Sequence, residues 1–254
     1  MLNMQTFGDD TAHPPILIAH GLFGSGRNWG VIAKRLAKSR RVVTVDMRNH
    51  GGSPWSDSHE YADLAADLAE VIGAIGGQAD VIGHSMGGKA AMVLALSHPE
   101  MLRRLIVADI APVGYGHSQT PLIEAMRGLD LSQVALRSDA DQLLSDTVDD
   151  PSVRAFLLQS LDVAGKAWRL NLDVLQAEMD KIVGFPDVTG SFDGPTLFLA
   201  GAASDYVRPE HRPLIKALFP NARQAKIPGA GHWLHAEKPR EFEAAAGLFL
   251  SAPS

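Results

Sequence analysis

Cysteine is absent from the 254 residues of this chain. Its absence excludes disulfide bonds, catalysis by a thiolate and metal sites with cysteine ligands. Positive charge is also scarce, since the formal net charge at pH 7 is −6 and lysine and arginine form no dense block. We therefore expect no nucleic-acid partner and no attraction to an anionic membrane surface.

Long apolar runs are missing as well. No stretch approaches the roughly 18 to 20 apolar residues of a membrane-spanning helix, and residues 1–10 lack the basic start and apolar run of a signal peptide. These absences predict a cytoplasmic protein without a membrane partner. The remaining composition, 46% hydrophobic and 20% charged, is that of a globular protein with ample material for a core.

Short and nearly continuous apolar runs do occur, at residues 16–19, 41–45, 79–82, 105–108 and 196–200. Such runs are typical of parallel strands that are covered on both faces of a sheet. Between the second and third runs, apolar side chains recur at helical spacing. Strands that alternate with helices predict an α/β fold, with a mostly parallel central sheet flanked by helices.

This alternation stops after the fourth apolar run. Beyond it, apolar residues recur at helical spacing, as Leu157 and Leu161 do, without comparable strand runs. We expect an inserted helical cap over residues 115–190. The cap would interrupt one α/β core formed by residues 1–114 and 191–254.

Residues 83–87 read Gly-His-Ser-Met-Gly and directly follow the third apolar run. This G-x-S-x-G pattern is typical of a nucleophilic serine on a strained strand-to-helix turn, where larger residues at the glycine positions would clash with the strand and helix. Ser85 is therefore the candidate nucleophile.

Two other interpretations of these residues are disfavoured. A dehalogenase or an epoxide hydrolase would need an aspartate at position 85, where this chain has serine. A phosphate-binding loop is disfavoured because residues 21–26 lack the required glycine spacing.

A serine hydroxyl needs a base that accepts its proton during attack, and histidine suits this role near neutral pH. Among the ten histidines, His232 is favoured because it lies in a glycine-rich loop between a short predicted strand, 225–227, and the last predicted helix. His84 and His235 flank other candidates and are its competitors. Surface or capping roles suit the other candidates considered, His13, His59, His117 and His211. No two histidines are spaced i, i+4, as they would be in a metal site on one face of a helix.

Blocks at residues 20–25, 46–51, 83–89 and 231–239 together resemble the bacterial YbfF-type esterases and their ABHD-type relatives in the α/β-hydrolase superfamily. The resemblance covers nearly the whole chain. It implies an enzyme that cleaves small carboxylic esters, of short to medium acyl length, through a Ser-His-Asp triad and an acyl-enzyme, without a cofactor. The alternative is a thioesterase acting on acyl-CoA or acyl-carrier protein, or a methyl esterase. A non-catalytic binding protein is disfavoured because the serine and the histidine are both present.

The acid that orients the histidine has two candidates. The common superfamily pattern places it after the first strand beyond the cap, but there Ser204 occupies the acid position and Asp205 comes one residue late. Resemblance to the YbfF-type enzymes implies that Asp109, at the end of the fourth apolar run, is the acid and that Ser204 assists it. Asp109 is favoured, and Asp205 is the alternative.

Two backbone N–H groups are expected to receive the oxyanion. Met86 supplies one by its position after the serine, and the resemblance implies that Leu22 supplies the other, with Phe23 as its neighbour. Aromatic residues are candidates for lining an acyl pocket, although such side chains also build cores. The candidates are Phe23, Trp29, Tyr115, Trp168, Tyr206 and Trp233.

Overall fold

Nine β-strands lie within residues 1–252, which the computed structural model describes. They are β1 (Met4–Phe7), β2 (Ile16–Ala19), β3 (Val42–Val45), β4 (Ala79–His84), β5 (Leu102–Ala108), β6 (Leu161–Asp162), β7 (Ala167–Trp168), β8 (Thr196–Gly201) and β9 (Ala222–Ile227). Seven of them form one sheet in the order β1-β3-β2-β4-β5-β8-β9, and β6 pairs with β7 apart from it. Only the β1–β3 pair of this seven-stranded sheet is antiparallel within the described chain. The prediction of a mostly parallel sheet is confirmed.

Eleven α-helices accompany the strands in the described part of the chain. They are α1 (Gly30–Leu36), α2 (Tyr61–Ile75), α3 (Met86–Ser97), α4 (Thr120–Arg127), α5 (Arg137–Leu144), α6 (Pro151–Leu157), α7 (Leu172–Ala177), α8 (Met179–Val183), α9 (Arg212–Leu218), α10 (Leu234–Glu237) and α11 (Pro239–Leu250). Apolar side chains of α2, α3 and α9 join one buried cluster, whereas those of α1 and α11 join another. The sheet is therefore flanked by helices on both faces, as predicted.

Strand β2 shows why its apolar run has no polar gaps. Ile16 and Ile18 belong to the cluster with α1 and α11, while Leu17 and Ala19 belong to the cluster with α2 and α3. Successive side chains of a strand point to opposite faces, so a strand covered on both sides must be apolar throughout. Burying each such isoleucine or leucine contributes roughly 1.5 to 3 kcal/mol.

The segment between β5 and β8 contains helices α4 to α8 and the small β6–β7 pair. We call residues 115–190 the insert. Part of the insert has a core of its own, built around Val134, Ala140, Leu144, Leu158 and Leu161. The expectation of purely helical structure is wrong at Leu161. Helix α6 ends at Leu157, and after a short 3-10 turn the chain enters β6, where Leu161 pairs with Trp168.

The carboxyl ends of the parallel strands meet at one edge of the sheet, where ligands commonly bind in α/β proteins. His20 follows β2, Ser85 follows β4 and Asp109 follows β5, while the loop after β9 carries His232. The topology thus brings together residues that are far apart in sequence. None of the helices within residues 1–252 combines the length and the apolar character needed to cross a membrane.

Candidate active site

Ser85 occupies the turn between β4 and α3. Its backbone has a φ of 51° and a ψ of −119°, and such a positive φ is strained for a residue with a side chain. The flanking glycines are required by close packing. A Cβ atom at Gly87 would lie 2.5 Å from the carbonyl oxygens of Ala19 and His20, and one at Gly83 would meet the carbonyl of Gly87. The motif therefore forms the tight turn that its sequence predicts.

Hydrogen bonds connect Ser85, His232 and Asp109 in one chain. His232 Nε2 lies 3.1 Å from Ser85 Oγ, and His232 Nδ1 lies 2.7 Å from Asp109 Oδ2. Asp109 is fully buried, and its Oδ1 accepts the Gly201 amide at 2.9 Å. When Nδ1–H donates to the carboxylate, Nε2 carries no proton and can accept one from the serine hydroxyl.

The two candidate acids lie in different surroundings. Ser204 Oγ–H donates to Asp109 Oδ2 at 2.5 Å, so the carboxylate at His232 is also held by the loop after β8. Asp205 is exposed, and Arg208 Nε donates to its backbone carbonyl at 2.9 Å. Asp109, rather than Asp205, is thus the carboxylate that contacts His232. The residue in the common acid position, Ser204, supplies a hydroxyl to it.

Two amide groups beside Ser85 are free to receive a ligand oxygen. Leu22 and Met86 both line the cavity at Ser85. Within residues 1–252, neither backbone N–H donates a hydrogen bond to a protein acceptor. The neighbouring Phe23 is different, because its N–H donates to His50 Nε2 at 3.2 Å. Phe23 also has a positive φ of 64°, so this histidine holds a strained residue next to the Leu22 amide.

Five buried histidines surround these groups and are held neutral by burial. They are His20, His50, His59, His84 and His235. Burial lowers the pKa of His59 and of His235 to about 3, and it lowers the pKa of His50 and of His84 well below the usual value. His84 anchors the His232 loop, since its Nε2–H donates to the carbonyl of His232 at 2.8 Å.

His59 does not have the surface or capping role expected from the sequence, whereas His117 lies at the surface as expected. His59 is fully buried. Its Nδ1 accepts from Asn49 Nδ2, and its Nε2 lies 3.2 Å from the sulfur of Met86. His117 is exposed but lines the cavity at Ser85. The interpretation of His59 as a surface or capping residue is therefore wrong.

A cavity of about 240 Å³ opens next to Ser85 and His232. Four of the six aromatic candidates line it, and they are Phe23, Tyr115, Tyr206 and Trp233. The insert adds apolar side chains, including Val153, Phe156 and Ile182. The cavity is therefore mostly apolar, with the serine and the histidine on its wall.

Trp29 and Trp168 lie elsewhere, which corrects the prediction for these two residues. Trp29 is buried and stacks on His235, with ring centroids 4.0 Å apart, so it fills the core beneath the site. The indole N–H of Trp168 donates to the carbonyl of Met126 at 2.8 Å, within the insert. Packing inside the core and inside the insert therefore uses these two rings.

Lys89 is a cavity residue that the sequence reasoning missed. Its side chain is buried, and Nζ donates to the carbonyls of Val183 at 2.8 Å and Gly184 at 2.5 Å. Burial lowers the pKa of this amine to about 7. A lysine inside the otherwise small and apolar segment 86–95 was the available signal. Lys89 joins helix α3 to the end of α8, where Val183 lines the cavity.

A metal ion has no evident set of ligands in the described residues. Nowhere in residues 1–252 do three or more histidine, aspartate or glutamate side chains gather in a way that could hold one.

The α/β hydrolase fold is the family whose model matches this chain, over residues 14–239. The chain belongs to this family, which the sheet and the serine turn also indicate. It is 42% identical over 261 residues to mouse (Mus musculus) sn-1-specific diacylglycerol lipase ABHD11, covering 98% of this chain and 85% of that protein. It is 38% identical over 240 residues to Escherichia coli Esterase YbfF, covering 94% and 93% respectively.

The solved structure of a marine microorganism esterase superposes with a TM-score of 0.92 and 37% identity. The match covers 98% of each chain. The predicted resemblance to YbfF-type esterases and ABHD-type relatives is therefore confirmed. The relatives are named esterases or lipases, which fits a carboxylic ester hydrolase.

Proposed function

We propose that this protein is a serine hydrolase that cleaves carboxylic esters of short to medium acyl length. The observation that carries the proposal is the hydrogen-bonded chain from Ser85 through His232 to Asp109, which opens on an apolar cavity. Each partner has the contact that its role requires: the nucleophile touches the base, and the base touches a buried carboxylate.

Acylation begins when Ser85 Oγ attacks the ester carbonyl and His232 Nε2 accepts its proton. The Oγ–carbon bond forms while the carbonyl π electrons move to oxygen, which becomes an oxyanion. The free N–H groups of Leu22 and Met86 donate to this oxyanion. Asp109 stabilises the imidazolium through Nδ1–H and keeps the ring in the required tautomer. The oxyanion then re-forms the carbonyl as the bond between carbon and the alcohol oxygen breaks. His232 gives its proton to that oxygen, the alcohol departs, and an acyl-serine remains.

Deacylation repeats these steps with water. His232 accepts a proton from water, the resulting hydroxide adds to the acyl carbonyl, and the same two amides receive the oxyanion. Collapse of this intermediate breaks the bond to Ser85 Oγ, which regains its proton from His232. Products are the carboxylic acid and the alcohol. No step needs a cofactor or a metal.

The proposed acyl length rests on the volume of the cavity and on the side chains of the insert that line it. A volume of about 240 Å³ with an apolar wall suits a chain of modest length. Phe156 and Ile182 of the insert form part of this wall, so residues 115–190 act as a cap over the core formed by residues 1–114 and 191–254. The mouse relative is named as a lipase of diacylglycerol, which supports an ester substrate with an apolar acyl chain.

The test is hydrolysis of p-nitrophenyl acetate, butyrate, octanoate and laurate, together with acyl-CoA thioesters, by wild type and Ser85→Ala. We expect activity on the shorter oxygen esters and a loss of kcat by at least about 1000-fold in the variant. A fluorophosphonate probe should label the wild type alone. Ser251→Ala, at the exposed end of α11, is the matched control. Full activity of Ser85→Ala would overturn the proposal, and a preference for thioesters would overturn its substrate class.

A further inference from the structure

We infer that Tyr206 is a positioning residue, which holds the imidazole of His232 by stacking on it and links this ring to the insert through His117. The inference rests on the proposed role of His232 as the base. Tyr206 thus has a second role besides lining the acyl pocket. The hydrogen bonds described above fix the edges of the imidazole, whereas Tyr206 covers its face.

The stacking geometry is close and nearly parallel. The ring centroids of Tyr206 and His232 lie 4.0 Å apart, at an interplanar angle of 19°. Other neighbouring rings are less well aligned, since His84 lies 4.8 Å away at 42° and Trp233 lies 6.3 Å away at 55°. A flat surface against the imidazole restricts its rotation out of the plane that contains Ser85 and Asp109.

Tyr206 is itself held at three points. Its backbone N–H donates to Ser204 Oγ at 3.3 Å, and its carbonyl accepts from the hydroxyl of Tyr115 at 2.7 Å. Its phenol oxygen and His117 Nε2 are hydrogen-bonded at 2.8 Å. Ser204 also contacts Asp109, so the loop after β8 supports both the acid and the base. The insert reaches the base through His117 and Tyr115.

The stacked ring also acts electrostatically. The face of a phenol ring carries partial negative charge and attracts a cation more strongly than a neutral group. His232 is neutral before attack and becomes an imidazolium in the transition state. Tyr206 therefore stabilises the transition state more than the ground state, which is the requirement for raising kcat.

Several ionisable groups lie around the imidazole or its cavity. They are Asp109 at Nδ1, His84 beneath the ring, His235 and Glu237 on α10, His117 on the insert and Lys89 on the cavity wall. Burial lowers the pKa of His84 well below the usual value and that of His235 to about 3. These two histidines therefore stay neutral over the pH range in which an esterase is assayed.

The experiment measures kcat and kcat/KM from about pH 5 to about pH 9 for wild type, Tyr206→Phe, Tyr206→Leu and His117→Ala. Tyr206→Leu removes the ring, and we expect kcat to fall roughly 3- to 30-fold. The acidic limb of kcat/KM should move to lower pH by about 0.3 to 1 unit, because the protonated imidazole loses a favourable contact. Tyr206→Phe keeps the ring, so the acidic limb of kcat/KM should lie at its wild-type pH. His117→Ala should lower kcat by about 2- to 5-fold without moving the limb.

A fluorinated series separates stacking from packing and serves if Tyr206→Leu does not fold. Phenylalanine, its 4-fluoro form and its pentafluoro form keep the ring at position 206 but progressively weaken its negative face. We expect kcat to fall in that order. Phe156→Leu is the matched control, because Phe156 lines the cavity beside Trp233 and should change KM without moving the acidic limb.

Two results would overturn the inference. One is a Tyr206→Leu enzyme with altered KM but with the kcat and the acidic limb of wild type, since Tyr206 would then be a pocket wall alone. The other is a fluorinated series with constant kcat. Ser85→Ala is assayed in parallel. If it is inactive while Tyr206→Leu behaves as wild type, the inference fails and the proposed function stands, whereas an active Ser85→Ala overturns the proposed function itself.

Discussion

The hydroxyl of Ser204 donates to Oδ2 of Asp109, the same carboxylate oxygen that faces Nδ1 of His232. The other oxygen, Oδ1, accepts the amide of Gly201. A buried carboxylate needs such donors, because an unpaired buried charge is strongly destabilising. Ser204 therefore lets the loop after β8 contribute to the site, although the acid itself follows β5.

Replacing each candidate acid tests which carboxylate orients the base. Asp109→Asn keeps the shape of the site but offers an amide to Nδ1, which favours the wrong tautomer, so we expect kcat to fall roughly 1000- to 10,000-fold. Asp205→Asn is the matched control, and its exposed position should leave kcat within about twofold. Hydrolysis of p-nitrophenyl butyrate measures both. Near-normal turnover by Asp109→Asn, with a large loss in Asp205→Asn, would reverse the assignment.

Ser204→Ala tests the support of the acid. The variant removes one of three donors to the carboxylate of Asp109, and a hydrogen bond to a charged group contributes about 1.5 to 3 kcal/mol. We expect kcat to fall by about 10- to 100-fold, with KM little changed. Ser204→Thr keeps a hydroxyl and should recover part of the activity. Wild-type kcat in the alanine variant would show that the hydroxyl has no part in holding the acid.

Acid should destabilise this protein because of its buried neutral histidines. Burial lowers the pKa of His59 and of His235 to about 3, whereas unfolding restores a pKa near 6.5. Between these values the unfolded chain binds more protons. The contribution of these histidines to the free energy of unfolding is therefore fully present above about pH 6.5. It falls as the pH decreases, by up to about 1.4 kcal/mol per pH unit for each such histidine.

Urea unfolding followed by circular dichroism measures this effect at about pH 7.5 and about pH 5. For His59→Gln, the free energy of unfolding should change less steeply with pH, by the equivalent of about one bound proton, because one buried neutral histidine is removed. The variant and the wild type are compared at each pH, so the contribution of the carboxylates is common to both. Equal urea midpoints of the wild type at the two pH values would contradict the expectation.

Lys89→Met tests how the cavity wall is fixed. Methionine keeps most of the length of the side chain, but it leaves the carbonyls of Val183 and Gly184 without this donor. We expect KM to rise about 3- to 10-fold for the octanoate ester and to change little for the acetate, which does not reach this wall. Lys34→Met, on the exposed face of α1, is the control. An equal rise of KM for both esters would show that Lys89 does not set acyl length.

Much of the fold could be predicted because its central strands are apolar on both faces. Strand β1 escaped prediction, since this edge strand is mostly exposed and its residues, Met-Gln-Thr-Phe, form no apolar run. The short elements of the insert were also missed at Leu161. There, packing within the insert overrides the helical spacing, and periodicity cannot distinguish a helix end from a two-residue strand.

The candidate site divides in the same way. Ser85 and His232 are visible in the sequence because the glycines around them report tight backbone geometry. The contact between Phe23 and His50 joins residues 27 positions apart in two loops, and no motif specifies it. Aromatic composition likewise could not separate Tyr206, which stacks on His232, from Trp29, which fills the core. The direction in which a side chain points, rather than its residue type, decides whether it lines the site or fills the core.

His232 lies 147 residues after Ser85 and 123 residues after Asp109. Contacts between such distant parts of a chain form only after long loops have closed, which slows folding. The base reaches the serine once β8 and β9 have joined the sheet beside β5. A nascent or partly folded chain thus holds a serine without its base and is inactive by the proposed route. Recovery of ester hydrolysis during refolding would therefore report when the carboxyl-terminal strands dock.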